Sequence, residues 1–380
     1  MQVPRAHYVM IGGFLGAGKT TALGRLARWA TERGEKVGLI TNDQSTGLAD
    51  TAILRHQGFT VEEIAGGCFC CRFRTLEDAV EKLSDATRPD VFLAEPVGSC
   101  TDLVATVSYP LRRIYGDRYR IAPLSVLVDP ERAARILGLV EGRSFSEKVV
   151  YVYRKQLEEA ELIVINKTET LDAELHARLE GALRTAFPAA EVLSISAKEG
   201  TGLDAWFERI FATEAADRPA MELDYQEYAE GEALLGWLNA TAELSGDRPF
   251  DANALLARTT SGIRDALLEH DVEVAHLKLT LDSPSAGGQL AVISLVGSDA
   301  EPDVRESLFD AVDGGSLVVN LRAEGDPELL ERVTREALQA GLGAEPGLRA
   351  ELEHLERFRP APPVPVHRIA DPAVTVEDPS

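Results

Sequence analysis

The sequence predicts an α/β fold: a first domain with a mostly parallel sheet, followed by a smaller α+β domain. Three observations lead to this prediction. Short apolar runs alternate with longer amphipathic segments through the first half, a glycine-rich motif follows the first run, and the pattern changes after a polar stretch near residue 214. Buried strands that alternate with crossover helices form parallel sheets covered on both faces. The 380 residues, 45% of them apolar, are enough for two compact cores.

Seven apolar runs are the predicted strands of the first domain, which we expect to span residues 1–213. Amphipathic stretches such as "TTALGRLARWATERG" and "TLEDAVEKLSDAT" lie between several of them, with apolar residues at helical spacing. The predicted strands are residues 7–11, 36–41, 61–65, 90–94, 124–128, 162–165 and 191–195.

A polar linker, residues 214–231, is predicted to precede the second domain, residues 232–345. The pattern there is strand, helix, two strands across "SPSAGG", helix and strand, which is the β-α-β-β-α-β order of a ferredoxin-like domain, with one closing helix. The second helix of this order is assigned to "EPDVRESLFDAV". Residues 346–380 are rich in proline, and we expect an extended or disordered tail.

The charge of the chain argues against two classes of partner. The 62 Asp and Glu residues outnumber the 39 Lys and Arg residues, for a formal net charge of −23. A polyanion repels phosphate backbones and acidic lipids, so we expect neither nucleic acid nor a membrane as partner. The one apolar run near the N-terminus is too short for a membrane span and lacks a signal-peptide cleavage pattern. We therefore expect a cytoplasmic protein with reduced thiols.

The motif "GFLGAGKT" fits the phosphate-binding pattern G-x-x-x-x-G-K-[ST] and stands between a predicted strand and a predicted helix. Its glycines let backbone N–H groups wrap a phosphate at the positive end of the helix dipole. Lys19 is expected to reach the β- and γ-phosphates, and the Thr20 hydroxyl to bind Mg²⁺. The first domain is therefore predicted to be a P-loop NTPase. Its expected phosphate-binding residues are Gly13, Gly16, Gly18, Lys19, Thr20 and Thr21.

Two acidic residues are candidates for a role near the magnesium ion and the attacking water. Glu95 directly follows the apolar run "VFLA", and we expect its carboxylate to hold Mg²⁺ through water while the Gly98 N–H senses the γ-phosphate. Asp43, in "TNDQSTG", either orients water or binds metal, or instead caps its loop. Lys19, Asp43 and Glu95 form the predicted catalytic set.

A later segment, "LIVINKTE", predicts recognition of a guanine base. Asn166 and Lys167 stand where an N-K-x-D guanine reader would, with Glu169 in place of Asp. A carboxylate one methylene longer still accepts hydrogen bonds from the guanine N1–H and amino groups. We therefore expect GTP, with weaker discrimination. The next run ends in "SISAK", which resembles the loop behind the base and adds Ser196, Ala197 and Lys198.

Three of the four cysteines stand in "GGCFCC", after a glycine pair. Cysteines this close in sequence form disulfides poorly, so a thiolate cluster is the better interpretation. Thiolates favour Zn²⁺ or Co²⁺ over Mg²⁺, and Cys68, Cys70 and Cys71 offer three ligands from one loop. Cys100, in "EPVGSC", either approaches this loop as a fourth ligand in one nucleotide state or is a small buried residue beneath it.

The motifs "GGFLGAGKTT", "GGCFCC", "EPVG" and "NKTE", in this order, resemble those of the CobW-like GTPases, metallochaperones related to the urease and hydrogenase nickel-insertion GTPases. The resemblance covers roughly residues 7–213. It departs at "TNDQSTG", where relatives have N-E-F-G, and at "EPVG", where they have E-T-x-G. It implies GTP hydrolysis, which we expect to be slow, coupled to delivery of zinc or cobalt. The implied partners are a client metalloprotein or cofactor-assembly enzyme and a second copy in a homodimer.

Two other functions stay open. One is a GTPase that activates a cobalamin-dependent system and uses its cysteines structurally. The other is a nucleotide-regulated binding module with negligible turnover. A kinase with the same phosphate loop is disfavoured because a kinase needs no guanine reader. Among the scattered histidines, His276 on a predicted strand of the second domain is the one chosen for testing as a ligand.

Overall fold

A computed structural model describes residues 5–44 and 49–372 of the chain. Over these residues the chain forms an eight-stranded sheet and then a six-stranded sheet. The first sheet and the helices around it are called the first domain, and the second sheet with its two helices is called the second domain. Residues 45–47 of the "TNDQSTG" motif and the last eight residues of the predicted tail lie outside the described part.

The first domain alternates strands and helices as the sequence predicts. Its strands are β1 (Ala6–Gly13), β2 (Val37–Asn42), β3 (Val61–Ile64), β4 (Val91–Glu95), β5 (Tyr119–Ile121), β6 (Ser125–Val128), β7 (Leu162–Ile165) and β8 (Glu191–Ser194). Its helices are α1 (Lys19–Glu32), α2 (Ala49–His56), α3 (Phe73–Thr87), α4 (Tyr109–Tyr115), α5 (Pro130–Ile136), α6 (Glu147–Glu159), α7 (Ala173–Ala186) and α8 (Leu203–Ala212). All seven predicted strands are confirmed within two residues, and β5 is additional because three residues give no readable pattern.

The strand order of the first sheet determines where a site can form. The order is β3-β2-β4-β1-β6-β7-β8, with every pair parallel and β5 also paired with β1. Because the strands are parallel, their carboxyl ends meet at one edge of the sheet. The connections after β1, β2, β4, β7 and β8 therefore converge there, with β1 near the centre.

The second domain is antiparallel. It follows α9 (Tyr225–Leu234) and contains β9 (Leu235–Phe250), α10 (Ala252–Glu269), β10 (Glu273–Asp282), β11 (Leu290–Leu295), β12 (Asp303–Glu306), β13 (Val312–Glu324), α11 (Pro327–Gly343) and β14 (Leu348–Phe358). The sheet order is β12-β11-β10-β13-β9-β14. Strand β13 separates β9 from β10, and β9 separates β13 from β14, so two split β-α-β units interlock as in a ferredoxin-like fold. The β11–β12 hairpin is an insertion at the β10 side.

Three assignments of the sequence analysis differ from the structure. The helix predicted over residues 301–312 is wrong, because Asp303–Glu306 pairs with β11 as β12. Of the apolar residues in this segment, Val304 and Phe309 are exposed, whereas Leu308 and Val312 are buried. Part of the predicted tail, Leu348–Phe358, is edge strand β14, whose many charges are typical of an exposed sheet edge. Part of the predicted linker is helix α9, which is capped at its first turn by Asp224.

The two faces of the second sheet have different roles. Leu277 and Leu279 on β10 point toward α10 and α11 and belong to one apolar core with them. Since side chains alternate along a strand, Lys278 points to the opposite face. Its cross-strand partner on β13 is Asn320. This polar face lies against the first domain.

Arg132, on α5, links the glycine loop to the second domain. Its buried guanidinium donates hydrogen bonds to the carbonyl oxygens of Leu15, Ala275 (2.9 Å) and Val274 (3.3 Å). The same group lies 5.4 Å from the ring centroid of Phe14. One side chain therefore holds three backbone carbonyls from both domains.

None of the described helices is both long and apolar enough to cross a membrane.

Arg132→Met should lower the free energy of unfolding by about 2–4 kcal/mol, because buried carbonyl oxygens lose a charged donor. Denaturant unfolding followed by tryptophan fluorescence measures this. Arg135→Met, one turn along the same helix, is the matched control. Arg135 forms a partly exposed ion pair with Asp299 (2.9 Å), and its loss should cost less than about 1 kcal/mol. Equal losses for the two variants would contradict the linking role of Arg132.

Candidate functional site

The glycine loop lies between β1 and α1 and has a backbone that few other residues could adopt. Gly13 and Gly18 have φ angles of +130° and +88°. A Cβ on Gly13 would meet the Leu127 carbonyl oxygen, and one on Gly18 would meet the Asn166 amide. The loop therefore needs glycine both for its left-handed backbone and for close approach of its neighbours. It leads directly into the first turn of α1.

Lys19 is buried at the start of α1 and faces the loop. Its ammonium donates hydrogen bonds to the carbonyl oxygens of Gly13 (2.9 Å) and Phe14 (3.4 Å). Burial lowers the pKa of Lys19, although the carboxylates of Glu95 and Asp50 act in the opposite direction. The amine therefore stands inside the loop that would hold a phosphate.

Thr20 connects two carboxylates. Its hydroxyl donates to Asp50 Oδ1 (2.8 Å) on α2 and to Glu95 Oε1 (3.1 Å) at the end of β4. Burial, followed by the nearby charge of Asp50, raises the pKa of Glu95 to about 7. Glu95 Oε2 is buried and has no hydrogen-bond partner among the described residues. The Thr20 hydroxyl and the two carboxylates, of which Glu95 has one oxygen unpaired, are hard oxygen donors that suit Mg²⁺.

A cavity of about 400 Å³ lies beside this cluster and is shared by the two domains. On the first-domain side its walls include Gly16, Gly18, Lys19, Thr20, Thr21, Asp43, Asp50, Glu95 and Gly98. On the second-domain side they include Trp237, His276, Lys278, Asn320 and Arg322. A concave site between domains with a few convergent polar groups is the usual form of a small-molecule site.

Three side chains of the second sheet hold the two ends of the segment that contains residues 45–48. Arg322 forms an ion pair with Asp43 (3.2 Å), and Asn320 Oδ1 accepts from the Ala49 N–H (3.0 Å). The Lys278 ammonium bonds to Asp50 Oδ1. Burial, the largest single effect, would raise the pKa of Asp50, but the charge of Lys278 and the hydrogen bonds from Lys278 and Thr20, with other nearby charge, together lower that pKa.

The predicted catalytic residue Asp43 is thus already paired with a cation. Burial raises its pKa, and the Arg322 guanidinium opposes this shift. Sequence reasoning did not find Asp50, Lys278, Asn320 or Arg322. The one available signal was the alternation of polar and apolar residues in "HLKLT" and "VVNLR", which marks a second polar face on buried strands.

His276 lines the same cavity but does not join a group of metal-ligating side chains. Its pKa is held well below its usual value by burial and then by the charge of Lys278. The His/Cys/Asp/Glu group able to hold a metal among the described residues is the cysteine set, which lies elsewhere. His276 is therefore a neutral cavity residue in this arrangement.

The predicted base-reading residues meet at the ends of β7 and β8. The Asn166 amide donates to the Ala17 carbonyl (2.9 Å) and accepts from the Ala197 N–H (3.0 Å), so it ties the glycine loop to "SAK". Lys167 forms an ion pair with Asp129 (2.7 Å). Glu169 is exposed on a short turn. Asn166 is thus hydrogen-bonded to backbone groups, whereas Glu169 does not line the cavity.

The "SAK" loop is held from α1. Arg25 donates to the carbonyl oxygens of Ala197 (3.0 Å) and Lys198 (2.8 Å), and Ser196 Oγ accepts from the Glu199 N–H (2.9 Å). Among the predicted base-reading residues, Lys198 is the one that reaches the cavity wall. The remainder lie beyond it, along the same edge of the sheet.

The cysteine loop lies between β3 and α3. The sulfur of Cys68 is 2.7 Å from that of Cys70 and 3.2 Å from that of Cys71, and the last two sulfurs are 3.7 Å apart. Sulfurs around a tetrahedral zinc ion are about 3.8 Å apart for a Zn–S bond of about 2.3 Å. The three thiols are free and already gathered at one point.

Cys100 approaches this group from the loop after β4. Hydrogen bonds from the thiols of Cys100, then Cys70 and Cys71, hold the pKa of Cys68 well below its usual value. The hydrogen bond to Cys68, followed by burial, raises the pKa of Cys100 well above the usual range. The set whose sulfurs all lie within 4.8 Å contains Cys68, Cys70 and Cys71 without Cys100. Cys100 therefore lies beside Cys68, at the edge of this set.

Residues 360–372, here called the C-terminal strap, run without helix or strand across the cysteine loop. The Val366 N–H donates to the Cys70 carbonyl (2.9 Å), and the Val364 N–H donates to the Cys71 sulfur (3.2 Å). The Val364 N–H by itself favours a Cys71 thiolate, but the contact with Cys68 outweighs it, and the pKa of Cys71 is raised to about 11. The predicted tail thus contains a segment that contacts the candidate metal ligands.

The strap is also anchored to the loop that carries Cys100. Arg368 forms an ion pair with Asp102 (2.7 Å), which is buried and also accepts from the Tyr225 hydroxyl (2.6 Å). Asp102 has a φ of +64°, in the left-handed region that a residue with a side chain rarely adopts. The Ile369 N–H donates to the Ala105 carbonyl (2.9 Å).

Comparison with known proteins gives the following matches. The family described as CobW/HypB/UreG, nucleotide-binding domain, matches residues 7–194. Zinc chaperone YeiR of Escherichia coli is 28% identical over 174 residues, which are 45% of this chain and 49% of that protein. Zinc chaperone CobW of a Sinorhizobium species is 27% identical over 183 residues, which are 43% of this chain and 51% of that protein. The chain thus spans about half the length of these curated relatives.

Among solved structures, the Zn(II)-bound YjiA GTPase from E. coli aligns with 90% of this chain and 99% of that chain, at 16% identity and a TM-score of 0.37. HypB from Helicobacter pylori in complex with nickel aligns with 55% of this chain and 86% of that chain, at 19% identity and a TM-score of 0.40. Similarity at this level carries no information about function.

The family match starts at β1 and ends with β8, so it includes the glycine loop, the cysteine loop and Asn166. Residues 7–194 therefore form a nucleotide-binding domain of the CobW/HypB/UreG family.

Proposed function

We propose that this chain is a GTP-hydrolysing metallochaperone, in which the nucleotide state controls binding and release of a zinc or cobalt ion held by thiolates. One observation carries the proposal. Glu95 and Gly98 line the shared cavity, and Cys100, two residues further, contacts Cys68 of the cysteine loop. A single short segment therefore borders both candidate sites. If Gly98 moves with the terminal phosphate, only two positions along the chain separate this movement from Cys100 at the cysteine loop.

In the proposed nucleotide site, Lys19 and the N–H groups of the glycine loop hold the phosphates. Thr20 and Glu95 hold Mg²⁺, which neutralises charge on the phosphates. Burial favours the protonated form of Glu95, and this proton must leave before the carboxylate oxygens can bind Mg²⁺. We therefore expect the metal to bind together with the nucleotide. Asp43 would orient water only after separating from Arg322. We therefore expect slow turnover without a partner.

The proposed base is guanine. Asn166 and Lys167 are anchored by the glycine loop and by Asp129, and the "SAK" loop is anchored by Arg25. Glu169 is exposed and available for a base that extends past the cavity along the sheet edge. The longer Glu side chain would accept the two guanine donors with less restraint than Asp, which favours GTP over other nucleotides with reduced stringency.

Zinc is the first candidate for the cargo. Three thiols at one point, with one pKa strongly lowered, provide soft, partly ionised ligands. The relatives named zinc chaperones point the same way. Three ligands from one loop leave an open position, which suits transfer better than permanent structure. The recipient would be a client metalloprotein or a cofactor-assembly enzyme, in the cytoplasm where thiols stay reduced. A homodimer stays a prediction.

Competition titration of Zn²⁺ and Co²⁺ against a chromogenic chelator, in apo, GDP-bound and non-hydrolysable GTP-bound protein, tests the proposed function. We expect metal affinity to differ by about fivefold or more between the two nucleotide states, the usual range of coupling between sites. Equal affinities in the three states would contradict a nucleotide-controlled chaperone. Cys70→Ser, a smaller and harder ligand, should abolish tight binding in every state.

Cys100→Ala distinguishes a metal-linked cysteine from a merely buried one. If Cys100 supports the metal, directly or through Cys68, zinc affinity should fall about tenfold or more in at least one nucleotide state. Thr101→Ala is the control at the neighbouring buried position, where no sulfur is removed. The same titration measures both variants. Wild-type affinity of Cys100→Ala in both the GDP and GTP forms would show that Cys100 only packs beneath the loop.

Arg368→Met tests the C-terminal strap. Removing the guanidinium leaves Asp102 without its cation and frees the strap from the cysteine loop, so zinc transfer to a chelator should speed up by about tenfold, the equivalent of about 1.4 kcal/mol. Stopped-flow zinc transfer measures the rate. Arg359→Met is the control, because Arg359 contacts Ala233 and Asp326 and none of the strap's partners. Equal rates for the two variants would contradict a covering role.

A further inference from the structure

The second domain places the ammonium of Lys278 at the candidate phosphate site. Lys278 stands on the polar face of β10, and its ammonium bonds to Asp50 Oδ1. That same oxygen accepts the hydrogen bond from the Thr20 hydroxyl (2.8 Å). Asp50 Oδ1 thus bridges the Lys278 ammonium and the Thr20 hydroxyl, which is expected to bind Mg²⁺. Lys278 lines the cavity together with Lys19.

The charges around the cavity leave Lys278 dependent on what the cavity contains. Asp43 is neutralised by Arg322, and Lys19 faces the carbonyls of its own loop. The Asp50 carboxylate accepts a hydrogen bond from Thr20 and forms an ion pair with Lys278. A magnesium–triphosphate complex would bring a cation to the Thr20–Asp50–Glu95 cluster and an anion beside it. The ammonium at Asp50 would then be repelled from the carboxylate and attracted to the phosphate.

Among the other cations that the second domain presents to the cavity, Arg305 is paired with Asp303 (2.9 Å), and Arg322 is fixed by its surroundings. Its guanidinium donates to the carbonyls of Leu238 (2.9 Å) and Leu321 (3.0 Å) and stacks 4.0 Å from the Trp237 ring centroid. Lys278 ends in a compact ammonium on a flexible four-carbon stem. Asp50 is its recorded hydrogen-bond partner among the described residues. Of these cations, Lys278 is the side chain able to move to a new partner.

We propose that Lys278 is a second phosphate-binding lysine, supplied by the second domain, which transfers from Asp50 to the terminal phosphate of a bound nucleoside triphosphate. This rests on the nucleotide binding of the proposed function. A diphosphate ends short of this position and leaves Lys278 on Asp50. The second domain would thereby distinguish the two nucleotide states through one side chain.

The affinity ratio between non-hydrolysable GTP and GDP tests this in Lys278→Met, by competition with a fluorescent nucleotide in the presence of Mg²⁺. The variant should lose about tenfold or more of its affinity for the triphosphate relative to the diphosphate, since the phosphate contact is lost in the triphosphate state, whereas the Asp50 contact is lost equally from the free and the diphosphate-bound protein. Lys148→Met is the matched control: Lys148 forms an exposed ion pair with Glu230 and does not line the cavity. A Lys278→Met ratio equal to that of wild type, or shifted toward the triphosphate, would overturn the inference.

A second measurement uses the wild-type chain and so does not depend on the folding of a variant. A GTP derivative that carries an acyl group on its γ-phosphate transfers that group to lysine amines beside the phosphate. Peptide mass spectrometry should find Lys278 acylated together with Lys19, and excess GTP should prevent both. Acylation of Lys19 without Lys278 would overturn the inference and leave the proposed function standing. A wild-type chain that binds neither GTP nor the derivative would contradict the proposed function itself.

Discussion

The carboxylate of Asp50 accepts hydrogen bonds from Thr20 in the first domain and from Lys278 in the second. This shared acceptor joins the glycine loop to the polar face of the second sheet. A buried carboxylate without partners would cost free energy, so Asp50 depends on the hydrogen bonds from Thr20 and Lys278. The cavity owes both its shape and its charge balance to this contact. A ligand that brings its own charges would alter this contact, which is the basis of the role proposed for Lys278.

The second constraint is the shortness of the connection between the two candidate sites. Glu95 ends β4 at the phosphate side, and Asp102 lies seven positions further at the strap. Between them, Gly98 borders the cavity and Cys100 contacts Cys68. This segment is buried along its whole length, so we expect a movement at one end to reach the other. The proposed coupling between nucleotide and metal would therefore need no long pathway in this chain.

Much of the fold could be predicted because it is encoded locally. The parallel strands are short apolar runs, and the glycine motif stands between a strand and a helix, so the meeting of Thr20 with Glu95 follows from parallel topology alone. The misassigned segments lack such signals. β12 pairs with β11 in spite of a helical apolar spacing, and β14 is a charged edge strand whose partner is about 100 residues away in sequence. Asp50, Lys278 and Arg368 are ordinary charged residues in sequence. Their partners are chosen by the packing of domains and tail, which no local pattern records.

The central claim is that nucleotide and metal are thermodynamically linked through one segment. The most direct measurement is the dissociation constant of non-hydrolysable GTP with and without one equivalent of bound zinc, with GDP measured in parallel. Linkage requires zinc to change triphosphate affinity by the same factor by which the triphosphate changes zinc affinity. The account predicts a change of about fivefold or more for the triphosphate relative to GDP. Identical nucleotide affinities with and without zinc would contradict it.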